Sequence, residues 1–213
     1  MISLSPDKAG LKILCLGAHC DDIEIGCGGT LLQLIRNQRI SELYWVVFTS
    51  TPERATEAID SAEFFTDGVE NRTILVKDFR DGVLPQQSLE VKAHFEQIKS
   101  AFNPDVIFTH YRNDLHQDHR LVNQMTWNTF RNHLVLEYEI QKYDGDLGNP
   151  NMYVSIDSET ARVKVNALME FFGSQSNKHW FDEETFYSLM RIRGLESVSR
   201  FSEAFYSRKA VLA

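Results

Sequence analysis

Cysteine is scarce in this chain of 213 residues: there are three, Cys15, Cys20 and Cys27, all in the first apolar run and the turn after it. Three thiols cannot all pair with one another, and their clustering excludes a spread disulfide framework, so a reducing, cytoplasmic setting is expected. Positive charge is also in deficit. Lys and Arg total 22 against 30 Asp and Glu, a formal net charge of −8, and a field of that sign repels polyanions, which removes nucleic acid as a first choice of partner. No stretch reaches the roughly 20 apolar residues that cross a bilayer, so membrane insertion is not expected. The opening residues, Met1 to Lys8, lack the basic start and apolar run of an export signal. Repeats, low-complexity tracts and linkers are missing too. What remains is 43% hydrophobic and 24% charged, enough for one substantial core, and residues 1–213 are read as a single domain.

The apolar runs alternate in kind. Leu11 to Gly17, Tyr44 to Thr49, Thr73 to Val76 and Asp105 to Thr109 read as buried strands. Between them, Thr30 to Ile35, the segment opened by Pro52-Glu53, and Leu89 to Phe102 carry apolar residues at helical spacing. After His119 a further helix runs to about Phe130. Leu134 to Ile140 and Tyr153 to Ile156 follow as strands around a long loop, Tyr143 to Pro150, and helices over Ser158 to Phe172 and Glu183 to Arg193 precede a tail without regular structure. Such alternation predicts an α/β fold, a Rossmann-like three-layer sandwich with a mainly parallel central sheet.

In an open parallel sheet, ligands bind beyond the carboxyl ends of the strands. Two polar clusters fall there: Ala18-His19-Cys20-Asp21-Asp22 after the first strand, and His110-Tyr111-Arg112-Asn113-Asp114-Leu115-His116-Gln117-Asp118-His119 after the fourth. Four of the seven histidines lie in these two stretches. Imidazole with carboxylate is the donor set of a catalytic zinc that keeps a position open for water. His19 and Asp22 can converge from one turn, and His119, at a helix start, can reach across from the neighbouring loop. Other groups then remain for the proton transfers that metal-assisted hydrolysis needs.

The stretch Ala18 to Leu31, with Asn113-Asp114-Leu115-His116-Gln117-Asp118-His119, resembles the PIG-L (LmbE-like) zinc-dependent N-acetylglucosaminyl deacetylase family, over nearly the whole chain. The resemblance implies that His19, Asp22 and His119 bind zinc and that Asp21 is the general base. It implies that His116 stabilises the oxyanion as a protonated imidazole or hands a proton to the leaving amine, with Asp118 orienting it. The implied activity is removal of acetyl from an N-acetylated amino sugar or its conjugate, such as a sugar nucleotide or glycoconjugate precursor. The same ligands accept Fe2+ or another divalent ion. Hydrolysis of a thiol-sugar conjugate or an N-formyl group is the alternative within this chemistry, and a nucleotide-binding Rossmann-like protein is the alternative outside it.

Cys20 stands where that family usually has proline, and packing as a small apolar group is the favoured reading over metal ligation. Arg54, in Arg54-Ala55-Thr56-Glu57, follows the second strand and reads equally as a substrate clamp or as a solvated helix arginine. Asp81 and Tyr143 are candidates for substrate contact. Asp81 also fits a simple Asp-Gly turn, and the loop of Tyr143 and Asp144 reads equally as a loose cover. His110 suits a supporting role near the site, while His94, His133 and His179 have no partner motif. Gly26-Cys27-Gly28-Gly29 lacks the third glycine of the dinucleotide fingerprint and the lysine of a phosphate loop, so tight helix packing is expected of it. The aromatic C-terminal third offers surface for homo-oligomer contacts.

Overall fold

The computed structural model describes Lys8 and residues 10–211; the Met1 to Lys8 segment read for an export signal lies almost wholly outside them. Five strands form the parallel part of one sheet: β1 (Leu11–Gly17), β2 (Ile40–Thr49), β3 (Arg72–Phe79), β4 (Val106–His110) and β5 (Leu134–Tyr138). β6 (Met152–Ile156) and β7 (Phe201–Tyr206) extend it, giving the order β3-β2-β1-β4-β5-β7-β6, with β7 antiparallel to both its neighbours. Helices α1 (Asp22–Arg36), α2 (Pro52–Phe65), α3 (Ser88–Ala101), α4 (Gln117–Thr129), α5 (Ser158–Phe171) and α6 (Glu183–Glu196) cover both faces.

Period-two alternation divides the core. Ile13, Cys15, Trp45, Val47 and Phe108 pack on one side with residues of α1, α2, α5 and α6. Leu14, Leu16, Val46, Phe48 and Ile107 pack on the other with residues of α3 and α4. Strands buried on both faces read as continuous apolar runs, which is why they were visible in the sequence. Their parallel register brings the segments after Gly17, Thr49, Phe79 and His110 to one rim.

Two elements differ from the sequence reading. The first helix begins at Asp22, eight residues before Thr30, so the glycine run lies inside it. An added Cβ at Gly26 would sit 2.2 Å from the Tyr138 ring, at Gly28 2.7 Å from Phe65 and at Gly29 2.6 Å from Ile156. Close packing of helix on sheet therefore outweighs the low helix propensity of glycine, and these glycines cradle side chains instead of a phosphate. The tail read as irregular is β7. Its Glu203 is buried and accepts the N–H groups of Gly29 (2.8 Å) and Thr30 (2.7 Å), while Lys164 of α5 donates to Glu203 and to the Ile25 carbonyl, each at 2.6 Å. A charged residue in mid-strand hid the pattern; the buried ion pair joins α1, α5 and β7.

Candidate metal centre and cleft

The turn between β1 and α1 is folded by Asp22, whose Oδ2 accepts the His19 backbone N–H at 2.5 Å. This returns the carboxylate towards the His19 ring. His19 Nδ1 lies 3.3 Å from Asp22 Oδ2 and 3.0 Å from His119 Nε2, and His119 Nε2 lies 3.4 Å from Asp22 Oδ1. A tetrahedral ion with bonds of about 2.0–2.1 Å holds its ligands about 3.3 Å apart, and each of these separations is close to that, with His19 facing one Asp22 oxygen and His119 the other. His19, His116 and His119 also bring one ring nitrogen each within 4.8 Å of the others, as do the donors of Asp22, His110 and His119. All five of these residues except His116 are buried.

The surroundings orient the donors. His119 Nδ1 is held by Asp114 Oδ2 at 2.8 Å, which leaves Nε2 for an ion, and Asp114 is itself 3.0 Å from Lys142 Nζ. A carboxylate behind a metal-binding imidazole is a recurring device for fixing tautomer and ring angle. Asp114 stood inside the second cluster, but nothing in the sequence separated it from a solvated loop aspartate. His110, at the end of β4, accepts the Ala18 N–H at 2.9 Å and stacks on His119 with centroids 3.9 Å apart. Burial, with His119 beside it, pushes His110 down to about 4, so it supports the centre as a neutral ring.

Electrostatics separate the two adjacent aspartates. Burial alone would raise Asp22, but His119, His110 and His19 hold its carboxyl well below the ordinary range. For Asp21, burial wins over the opposing Arg54 charge and raises the carboxyl. Arg54 Nη2 contacts Asp21 Oδ1 at 3.0 Å, and Nη1 is 3.7 Å from Asp81. The arginine is therefore neither solvated nor free: one arm is committed to Asp21. Asp81 Oδ1 lies 3.1 Å from His19 Nε2, and that contact is the main reason its carboxyl is lowered to about 2.

His116 and Asp118 do not form the expected pair. The Asp118 carboxylate accepts the backbone N–H groups of Gly82 (2.7 Å) and Leu84 (3.0 Å) and lies 3.4 Å from His19 Nε2. Its contact with His116 runs through its backbone N–H, which donates to His116 Nδ1 at 3.3 Å. His116 is the N-cap of α4, so Asp118, two residues on, turns its side chain away towards the loop after β3. With Nδ1 accepting, the neutral His116 ring carries its proton on Nε2. Burial, with His119 and His19 beside it, lowers the ring's affinity for a second proton, against the expectation of a protonated imidazole.

His19, Asp21, Asp22, Arg54, Asp81, His116, His119 and Tyr143 line one cleft of about 210 Å³, and Asp118 lies buried behind it. Lys142, Gln175, Lys178 and Trp180 line it as well. The sequence offered no local signal for Gln175, Lys178 and Trp180, because the chain returns to the rim there from outside the parallel strands, whereas Lys142 lies in the loop after β5 beside Tyr143. The loop after β5 is pinned, not loose: Asp146 accepts the Leu115 N–H (2.7 Å) and contacts Lys142 (2.5 Å), and Arg193 bridges the Gly148 carbonyl to buried Glu139. Cys20 packs as expected. Its thiol donates to the Thr49 carbonyl (3.4 Å), and burial pushes it up to about 12.

A covered parallel sheet with two histidines and a carboxylate converging at its carboxyl rim defines an α/β protein with a candidate divalent-metal centre. The family profile described as PIG-L, GlcNAc-PI de-N-acetylase, matches residues 14–130, more than half of the chain, and the chain belongs to that family. The fold is shared with solved structures. The conserved protein TT1542 from Thermus thermophilus is 22% identical with a TM-score of 0.73, the match covering 95% of this chain and 97% of that one. The N,N'-diacetylchitobiose deacetylase of Pyrococcus horikoshii is 20% identical, with a TM-score of 0.68 over 92% of this chain and 83% of its own. GalB from Pseudomonas putida, a 4-carboxy-2-hydroxymuconate hydratase, is 14% identical with a TM-score of 0.72, over 95% and 98%. A hydratase on this fold means that the reaction must be argued from the site.

Proposed function

We propose that the protein is a divalent-metal-dependent hydrolase that removes the acetyl group from an N-acetylated amino sugar or its conjugate in the cytoplasm, releasing acetate and a free amine. The observation that carries this reading is the triangle of His19 Nδ1, His119 Nε2 and the Asp22 carboxylate, with separations of 3.0–3.4 Å, beside Asp21 and His116 in an open cleft. His19, Asp22 and His119 would hold the ion, zinc first and Fe2+ as the other candidate. When bound, the ion supplies a Lewis acid for the amide carbonyl and acidifies water.

The protein's own groups perform the remaining steps. Asp21, its Oδ1 held by Arg54, takes a proton from the attacking water on Oδ2, and burial makes it a stronger base than an exposed aspartate. The water oxygen bonds to the carbonyl carbon. His116, neutral and protonated on Nε2, donates a hydrogen bond to the oxygen as charge develops there, and protonated Asp21 passes the water's proton to the nitrogen as the C–N bond breaks. Asp21 thus acts first as base and then as acid, ending ionised as it began, and His116 stays neutral throughout, with no net proton consumed.

The test is a panel of acetamido sugars and sugar nucleotides incubated with protein purified without a histidine tag and assayed for metal content, acetate and primary amine. One equivalent of metal and acetate release are expected. Release of formate from N-formyl compounds, or cleavage of a thiol-sugar amide with no acetate from any substrate, would reassign the acyl group; failure to retain a divalent ion would remove the mechanism.

A further inference from the structure

One wall of the cleft has no part in the chemistry above. It is the segment from the 3-10 turn Gly173–Gln175 to Trp180, which follows α5. Glu57, in α2, holds its start: one carboxylate oxygen accepts the Ser174 N–H at 2.8 Å and the other the Ser174 hydroxyl at 2.5 Å. Gln175 donates to the same hydroxyl at 3.0 Å, and the Lys178 N–H returns to the Gln175 carbonyl at 2.9 Å. Glu57 lies one helical turn after Arg54. A single stretch of α2 therefore fixes both the partner of Asp21 and the far wall.

That wall presents Trp180. The ring is half-buried against Phe181, with centroids 5.6 Å apart, and also lines the cleft. Its indole N–H has no acceptor among the described residues. The other tryptophans are committed elsewhere: Trp45 is buried, and Trp127 donates to Glu137 at 2.7 Å beneath the Arg208 guanidinium. An apolar ring with an available donor, in a cleft lined by charged and polar groups apart from Ile140, matches a pyranose, which offers a face of C–H groups ringed by hydroxyls.

We propose that Trp180 is the sugar-binding platform of the cleft and that Glu57 is the positioning residue that sets it there. The ring packs on the C–H face of the pyranose, and the indole N–H donates to a hydroxyl or ring oxygen. This rests on the acetamido-sugar reading of the same site.

The experiment compares two substrates of the metal-loaded enzyme: the methyl glycoside of N-acetylglucosamine and an N-acetylated acyclic amine. Trp180→Ala is expected to lower the ratio of kcat/KM for the glycoside to that for the acyclic amide about tenfold, through KM. Glu57→Ala and Ser174→Ala should lower the same ratio with metal content unchanged, and Ser174→Ala keeps the test open if Glu57→Ala does not fold. Equal losses on both substrates, or no change in the ratio, would overturn the proposal. If the wild-type enzyme releases acetate from neither compound, the hydrolase reading is decided by the wider panel of acetamido sugars and sugar nucleotides. The platform is then judged by binding: methyl glucoside should quench wild-type tryptophan fluorescence and not that of Glu57→Ala, and no quenching of the wild type would sink it.

Discussion

Replacing Asp118 by alanine separates the arrangement in the structure from the one the sequence implied. The carboxylate satisfies the Gly82 and Leu84 N–H groups at 2.7 and 3.0 Å and faces His19 Nε2 at 3.4 Å, in full burial. A hydrogen bond to a charged group contributes about 1.5–3 kcal/mol, so losing two from neighbouring donors should cost about 3–5 kcal/mol, allowing for incomplete additivity. This loss belongs to the metal-free protein and is measured by urea unfolding with chelator present. A second loss follows from freeing the His19 ring and Asp81's loop: a missing outer partner typically weakens metal affinity about 10–100-fold, measured by competition with a chromogenic chelator. Asp118→Asn should fall between, since one amide oxygen cannot serve both donors equally. If Asp118 instead acted by orienting His116, both variants would keep stability within about 1 kcal/mol and bind metal normally, losing only turnover. That result would refute the assignment.

Asp21→Asn should lower kcat by about 10²–10⁴-fold, the usual scale of a lost general base, with metal content unchanged; undiminished activity would remove Asp21 from the mechanism. Cys20→Ala should leave metal stoichiometry unaltered, and thiol-specific alkylation of the native protein at about pH 8 should be slow, because the thiol is buried and held up at about 12. Lys164→Met leaves Glu203 buried without its cation and should destabilise by about 3–5 kcal/mol in denaturant titrations, an effect much reduced in Lys164→Met/Glu203→Gln. Asp157 pairs with Arg36 and caps α5 through the Thr160 N–H (2.7 Å); the Arg36 contact first, and the cap second, lower its carboxyl to about 2. An aspartate lowered on folding stabilises above its unfolded pKa of about 3.9 and loses that contribution as pH falls towards about 2. The deficit of Asp157→Ala, about 1 kcal/mol at about pH 6, should therefore shrink in thermal melts taken between about pH 4 and pH 2.

How much of this could be read in advance depended on how local the cause was. The inner parallel strands are buried on both faces and read as apolar runs whose identity needs no distant partner; β3, the partly exposed edge strand, kept such a run only over its centre, residues 73–76, and all five emerged within a few residues of their observed limits. The positions of His19, Asp22 and His119 at one rim followed from the same logic, since strand order alone sends both clusters there. Three features depended on partners remote in sequence. The helix was started at Thr30 instead of Asp22 because glycine is a poor helix former; the tight packing expected of the glycine run is present, against the rings of Tyr138 and Phe65 and the side chain of Ile156, partners that no local window contains. Glu203 made β7 look like a polar tail because its cation comes from α5 and its two N–H donors from α1. The Asp118 side chain was read against His116, its neighbour in sequence, but its partners Gly82 and Leu84 lie 34 to 36 residues away. In each case a polar or conformationally weak residue was misread because its compensating contact is non-local. The cleft wall at Trp180 belongs to the same class: its anchor is Glu57, 117 residues before Ser174. Pattern within a window can locate the reacting groups of this fold, whereas the residues that hold and select the substrate are assembled by contacts the window does not contain.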